Sequence, residues 1–213
     1  MNRIILVRHG ETDANTTGCF LGDLDVDLSD NPKTLTVIKQ LAAQLQQFNP
    51  AIIVSSPAKR AQQTAQIINQ SINVKIVTEP DVREISFGSW EGLTSQEVNS
   101  IDLEKWRARN VSCNTSPTNG ETLKSLADRV EVILNRLCTK YDNQTIIVVT
   151  HVYTIKAALD LAMNLPNGYH ANRLWLDTST ATIIDWSTNP DKRIVYRVNW
   201  CPNIEYGSIK WKK

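Results

Sequence analysis

Three features of the sequence predict an α/β protein with a mostly parallel central sheet. Short apolar runs, Ile4-Ile5-Leu6-Val7, Ala51-Ile52-Ile53-Val54-Ser55 and Ile146-Ile147-Val148-Val149, read as strands buried on both faces. Stretches with apolar residues at helical spacing alternate with them, as a three-layer α/β/α sandwich requires. Each apolar run also stops at polar or charged residues: Arg8-His9 after the first, Ser55-Ser56-Pro57 with Arg60 one turn later after the second, and Thr150-His151 after the third. Open α/β sheets bind ligands beyond the carboxyl ends of their strands, so the charged exits mark a site.

The elements follow in order. A long polar loop, residues 9 to 32, leads to a helix from about Lys33 to Gln47 with Leu35, Ile38, Leu41, Ala42 and Leu45 on one face. After the second strand a helix is expected from Pro57 to about Gln70, with Ser56 as its N-cap and proline at its first position. A short strand at Val74 to Val77 precedes an irregular, cap-like segment of about 79–119, which holds a helix from Thr94 to Ala108. A helix from about Glu121 to Tyr141 leads into the His151 strand, and another from Tyr153 to Met163 follows it. Ala181 to Trp186 and Arg193 to Trp200 are expected to close the sheet, within one domain spanning 1–213.

The composition, 41% hydrophobic and 21% charged over 213 residues, suits a single domain with a full core. Lys plus Arg (23) nearly balance Asp plus Glu (22), and a net charge of +1 gives no reason to expect nucleic acid or an anionic membrane as partner. Cys19, Cys113, Cys138 and Cys201 show no C-x-x-C pair and are expected to be free thiols. The chain begins with a strand rather than a basic then apolar leader, and no membrane-length apolar run occurs; a cytoplasmic protein is expected. His9, His151 and His170 lack ligand-like spacing, so neither a metal nor another cofactor is implied.

The residue types at the strand exits point to phosphate. Two arginines converging on one sheet edge, Arg8 and Arg60, offer forks of fixed donors to phosphoryl oxygens. A neutral imidazole can attack phosphorus, and neighbouring cations disfavour its protonation, so His9 beside Arg8 is the better nucleophile. His151, if protonated, would donate to the equatorial oxygens. A leaving alkoxide needs a proton from a carboxyl group, and Glu11, Asp81, Glu84 and Glu91 all compete for that role on sequence alone. His170 is expected at the surface, and Trp175, Trp186, Trp200 and Trp211 either cover the site or pack a sheet or interface.

Taken in order, Arg8-His9-Gly10-Glu11-Thr12 with Asn15, Ser55 to Ala61 with Thr64, Val82 to Gly92, Gly120-Glu121-Thr122 and Val149-Thr150-His151 resemble the motifs of the histidine phosphatase superfamily, which includes cofactor-dependent phosphoglycerate mutase. The resemblance implies a phosphoglycerate mutase-like fold and a phosphohistidine on His9. It makes Glu84 the general acid, Asn15 and Thr12 further phosphate contacts, and Gly10 a point of close backbone approach; each of the last three could equally be a turn residue. Val152 and Tyr153 stand where many members carry two glycines, a departure similar to the branch with metal-independent phosphoserine phosphatases. Tyr153 either narrows the mouth of the pocket or packs at a helix start. The expected substrate is a small phosphate ester. Three readings remain open: a phosphomonoesterase, favoured by the short stretch between Gly92 and Gly120; a mutase; and a non-catalytic binding protein, disfavoured because all five key residues are present. Exposed aromatics near the C-terminus make a homodimer unsurprising.

Overall fold

The computed structural model describes residues 1–201, and their core is a six-stranded sheet in the order β3-β2-β4-β1-β5-β6. The strands are β1 (Asn2–Arg8), β2 (Ile52–Ser55), β3 (Lys75–Thr78), β4 (Thr145–Thr150), β5 (Ala181–Trp186) and β6 (Ile194–Trp200). The first four are mutually parallel where they pair, while β5 runs antiparallel to β1, and β6 to β5. The expected sandwich with a mostly parallel sheet is therefore present.

Helices cover both faces. On one lie α2 (Pro32–Leu45) and α3 (Lys59–Ile72), packed on Ile5, Val7, Ile53 and Val149. On the other lie α6 (Leu123–Lys140) and α7 (Val152–Ala162), packed on Ile4, Leu6, Val54 and Val148. Successive β1 side chains thus feed opposite cores, which is why the run is apolar without alternation. Leu35, expected on the buried face of α2, is 43% exposed; Thr34 takes the inward position one residue earlier.

The chain order creates the site. From β1 the chain crosses to β2 and β3 and then returns to place β4 between β2 and β1. The carboxyl ends of β2, β4 and β1 therefore lie side by side, with Ser55 opposite Val149 and Arg8 opposite Thr150. The ladders run one residue further: the His9 N–H donates to the Thr150 carbonyl and the Ser56 N–H to the Val149 carbonyl, each at 3.0 Å.

Three local expectations are corrected. The polar loop contains a short helix, α1 (Asp13–Thr17), closed by a reciprocal Thr12–Asn15 capping box. The helix expected from Thr94 to Ala108 is two, α4 (Ser95–Ile101) and α5 (Leu103–Val111), separated at Asp102, whose carboxylate accepts from Trp90 Nε1 at 3.0 Å. That tertiary bond holds Asp102 away from helical backbone angles. Finally, α3 begins at Lys59 with Ala58 as its N-cap, so Ser56 and Pro57 precede the helix and Ser56 is free for another partner.

The four cysteines are free. No helix among the described residues is long and apolar enough to cross a membrane. Trp211 and the Lys210-Trp211-Lys212-Lys213 tail lie outside the described residues.

Candidate active site

Beyond the ends of β1, β2 and β4 lies a cleft of about 410 Å³, open to solvent, whose lining combines the charged and polar Arg8, His9, Arg60 and Glu84 with the aromatic and apolar Phe20, Leu21, Phe87, Val152 and Tyr153. His151 is fully buried, with its ring 5.1 Å from that of His9 between centroids. The five principal residues expected from the sequence are thus brought together.

His9 is oriented by its own loop. Its Nδ1 lies 2.7 Å from the Gly10 carbonyl oxygen, which can only accept, so Nδ1 carries the hydrogen and Nε2 keeps its lone pair. Burial, then the charges of Arg8 and Arg60, holds the His9 pKa well below the ordinary imidazole value. The ring is therefore held in its neutral form. Burial outweighs the cations here, whereas the sequence pointed to the cations alone.

The arginines are anchored through their Nη atoms. Arg60, 1% exposed, donates to the carbonyls of Gly22 at 3.0 Å and Leu24 at 2.6 Å, while Arg8 donates to the Leu176 carbonyl. The Nε atoms of both are buried without a partner among the described residues. Gly22 has φ +51°, and a Cβ there would lie 2.1 Å from Glu91 Oε1, so only glycine fits this anchor of Arg60. Glu91 is itself engaged by the N–H groups of Asp23 and Phe87, which ties the turn at Asp23 to the segment at Phe87.

Glu84, 6% exposed, accepts from the N–H of Ile85 at 3.0 Å and of Tyr153 at 3.1 Å. The second bond satisfies a free donor in the first turn of α7, whose N-cap His151 supplies no side-chain bond. Burial raises the Glu84 pKa, opposed by the Ile85 N–H and by Arg60 and Arg8. The net direction makes it a carboxyl group able to hold a proton above the usual carboxylate range.

For His151 the sequence left donation conditional on protonation. Its pKa lies well below the ordinary value, through burial first and then His9, Arg60 and Arg8, which favours the neutral ring. Its Nε2 lies 2.7 Å from Ser56 Oγ.

The secondary residues divide. Asn15 lines the cleft, with its Oδ1 held by the Thr12 N–H at 3.0 Å, which leaves its amide nitrogen to face outward contacts. Thr12 is fully buried and spends its hydroxyl on Asn15, away from the cleft lining. Gly10 is also outside the lining, and a Cβ there would lie 2.7 Å from Ile38 Cδ1, so its small size lets the loop pack closely against α2. Tyr153 lines the cleft and packs edge-on against Phe87 at 5.4 Å.

The model of the histidine phosphatase superfamily, branch 1, matches residues 4–200. The chain belongs to this superfamily. It is 34% identical over 160 residues to phosphoserine phosphatase 1 of Hydrogenobacter thermophilus, covering 74% of each chain. It is 33% identical over 213 residues to the uncharacterized phosphatase PhoE of Bacillus subtilis, covering 100% of this chain and 92% of that one. A solved phosphoserine phosphatase from Entamoeba histolytica, in complex with phosphoserine, superposes with a TM-score of 0.80 at 27% identity, over 93% of this chain and 97% of the other.

Several contacts of this histidine phosphatase site are not readable from the sequence, although Asp177 to Thr180 and Val198 to Cys201 fall where the phosphoserine phosphatase branch has similar segments. Arg109, 6% exposed, reaches from α5 to lie over the rings of Phe87 and Tyr153 at 5.4 and 5.8 Å. The turn at residues 176–180 holds the first exit, since the Ser179 N–H donates to the carbonyls of Arg8 and His9. Asp177 and Asn199 fasten that turn by two reciprocal bonds of 2.7 and 2.9 Å. Only periodicity and motif spacing are readable without coordinates, and none of these contacts is periodic.

Proposed function

We infer that this chain is a phosphomonoesterase acting on a small phosphate ester through a phosphohistidine. The observation that carries this is the state of His9: neutral, with Nδ1 bonded to the Gly10 carbonyl and Nε2 left as the nucleophile, in a cleft flanked by Arg8 and Arg60. In the first step the Nε2 lone pair forms the N–P bond as the ester P–O bond breaks. Arg8 and Arg60 bind the phosphoryl oxygens, and Glu84 gives its proton to the departing oxygen. In the second step Glu84, now ionised, takes a proton from water as that water cleaves the N–P bond. Phosphate leaves, and Glu84 is again protonated.

Phe20, Phe87, Tyr153 and Asn15 also line the cleft and are the contacts open to the leaving alcohol. The phosphatase names of the relatives support hydrolysis over transfer to a second hydroxyl. For the expected homodimer, Trp175 (79%), Tyr196 (54%) and Tyr169 (41%) are exposed aromatics, whereas Trp186 is fully buried.

The test is phosphate release from a panel of esters, phosphoserine and aryl phosphates included, in excess chelator, with acid-labile phosphoprotein trapped by rapid quench. Release with a His9-dependent phosphoprotein is expected. Turnover without any trapped phosphoprotein under single-turnover conditions, or turnover surviving in His9→Ala, would overturn the reading.

A further inference from the structure

Ser56 occupies a position that neither the motif at the second strand exit nor the helix after it explains. It is fully buried, it precedes the helix it was expected to cap, and its hydroxyl lies 2.7 Å from His151 Nε2. The backbone explains why it is held there so firmly. The Ser56 N–H pairs with the Val149 carbonyl and its own carbonyl accepts from Gln62 Nε2 at 2.7 Å, so the residue is fixed on both sides of its Cα.

The direction of the Ser56–His151 bond follows from counting. The Ala58 N–H donates to Ser56 Oγ at 3.4 Å, which uses a lone pair of that oxygen and leaves its hydrogen to be placed. Among the described residues, His151 Nε2 is the acceptor within reach of that hydrogen. With Nε2 accepting, the neutral ring carries its own hydrogen on Nδ1. That Nδ1 is buried without a partner among the described residues, a state it shares with Arg8 Nε and Arg60 Nε. His151 Nδ1, Arg8 Nε and Arg60 Nε are thus three unpartnered buried donors, and the His151 ring lies 5.1 Å from that of His9, close enough for a donor to act on a phosphoryl group carried there.

We propose that Ser56 is a positioning residue that fixes His151 as the neutral Nδ1–H tautomer, so that His151 offers a hydrogen-bond donor to the phosphoryl group without becoming an imidazolium. The two histidines at neighbouring strand exits are then both Nδ1–H tautomers with opposite consequences. In His9 a backbone carbonyl takes the Nδ1 hydrogen and frees Nε2 to attack; in His151 a serine hydroxyl occupies Nε2 and frees Nδ1–H to donate. Without the serine, the His151 ring would divide between tautomers, and the Nε2–H form presents a lone pair to an anionic oxygen.

The proposal rests on the phosphohistidine reading for its consequence, but its core is testable without turnover. With only three histidines in the chain, ring nitrogens labelled with 15N can be assigned from His9→Gln and His170→Asn spectra. Wild type should show His151 protonated on Nδ1 at neutral pH, Ser56→Ala should lose that single tautomer, and Ser56→Thr, which keeps the hydroxyl, should retain it. In rapid-quench assays Ser56→Ala should slow phosphoprotein formation about 10²-fold with little change in KM, the size of one lost transition-state donor, and Ser56→Thr should recover most of the rate. A wild-type His151 protonated on Nε2, or a Ser56→Ala protein with tautomer and rate unchanged, would overturn it. If Ser56→Ala does not fold, the wild-type and Ser56→Thr spectra still decide the tautomer. If no ester is turned over, the spectra test Ser56 while the phosphatase reading fails separately.

Discussion

Tyr153 separates two buried sets of ionisable side chains, Arg8, His9, Arg60, Glu84 and His151 on one side and Lys156, Asp160 and His170 on the other. Each contains a histidine, a carboxylate raised by burial and a cation lowered by it. They differ in where their hydrogen bonds go. In the second set the Asp160 carboxylate accepts from the His170 backbone at 3.1 Å and from its ring at 2.5 Å, and Lys156 donates to the Ala171 carbonyl at 2.7 Å. Those bonds clasp α7 to the segment that follows it, around a small space walled by Leu123, Leu126 and Ala157. In the first set three buried donors, Arg8 Nε, Arg60 Nε and His151 Nδ1, have no partner among the described residues, and Arg8, His9, Arg60 and Glu84 line an open cleft, whereas in the second set the unpartnered atom is an acceptor, Asp160 Oδ2. Shifted titration is common to both, so convergence of unspent donors on accessible space is what marks the reactive set.

The largest expected effect breaks the comparison at its strongest point. His9→Ala should reduce turnover about 10⁴-fold or more and abolish the trapped phosphoprotein, because no other side chain supplies a lone pair at that place. Steady-state rates and quench-flow measure both. The matching change in the second set, His170→Asn, should leave kcat within about threefold, since it touches no residue of the cleft. A large loss of kcat in His170→Asn, with folding intact, would join the two sets into one site.

Glu84→Gln sharpens the same contrast by separating activity from stability. The substitution keeps shape but holds no transferable proton, and about 10²- to 10⁴-fold in kcat should be lost. Stability should move the other way. The folded-state pKa of Glu84 is raised, so from the unfolded value of 4.5 upward the folded state retains a proton that the unfolded chain releases, and stability falls as pH rises through that window. Glutamine escapes this cost, and a gain of about 0.5–2 kcal/mol at neutral pH is expected in urea denaturation. An unchanged kcat would pass the acid role to another carboxyl group.

Asp160→Asn should show the reverse signature, with kcat nearly unchanged and folding weakened by about 1–3 kcal/mol as the His170 contacts are degraded around a buried group. Chemical denaturation beside the phosphatase assay separates these readouts.

What the sequence exposed follows the same division. Arg8, His9 and His151 were legible because each ends an apolar run, and Arg60 because it lies one turn beyond another. Glu84 needed the motif order, since four carboxylates satisfied the chemistry. Ser56 was taken for a helix cap because serine before proline is a local signal, whereas the bond that decides its role joins residues 95 positions apart. His170 was expected at the surface from its polar neighbours, yet its ring is held by Asp160, ten positions earlier across a turn. The helix of the cap segment was placed but not its break at Asp102, which depends on Trp90 from an earlier turn. Strand and helix faces follow from periodicity, but contacts between irregular segments leave no periodic trace.

The smallest expected effect concerns Lys156, whose amine is pushed down to about 8 by burial. The unfolded chain keeps its proton up to the ordinary value of 10.5, so between these values the unfolded state binds more protons than the folded one. Stability attributable to this residue therefore rises with pH across that window. In Lys156→Met the rise should vanish: the variant should match or exceed wild type at pH 7, and the difference should shift toward wild type by about 1–3 kcal/mol as the pH approaches 10. Urea midpoints of the two proteins at neutral and alkaline pH measure this. Because the amine is spent on the Ala171 carbonyl rather than on the cleft, kcat at pH 7 should stay within about threefold of wild type, as for other substitutions remote from the reacting atoms. A pH-independent stability difference would mean that burial does not shift the Lys156 amine, and its part in the second set would then rest on the bond to the Ala171 carbonyl alone.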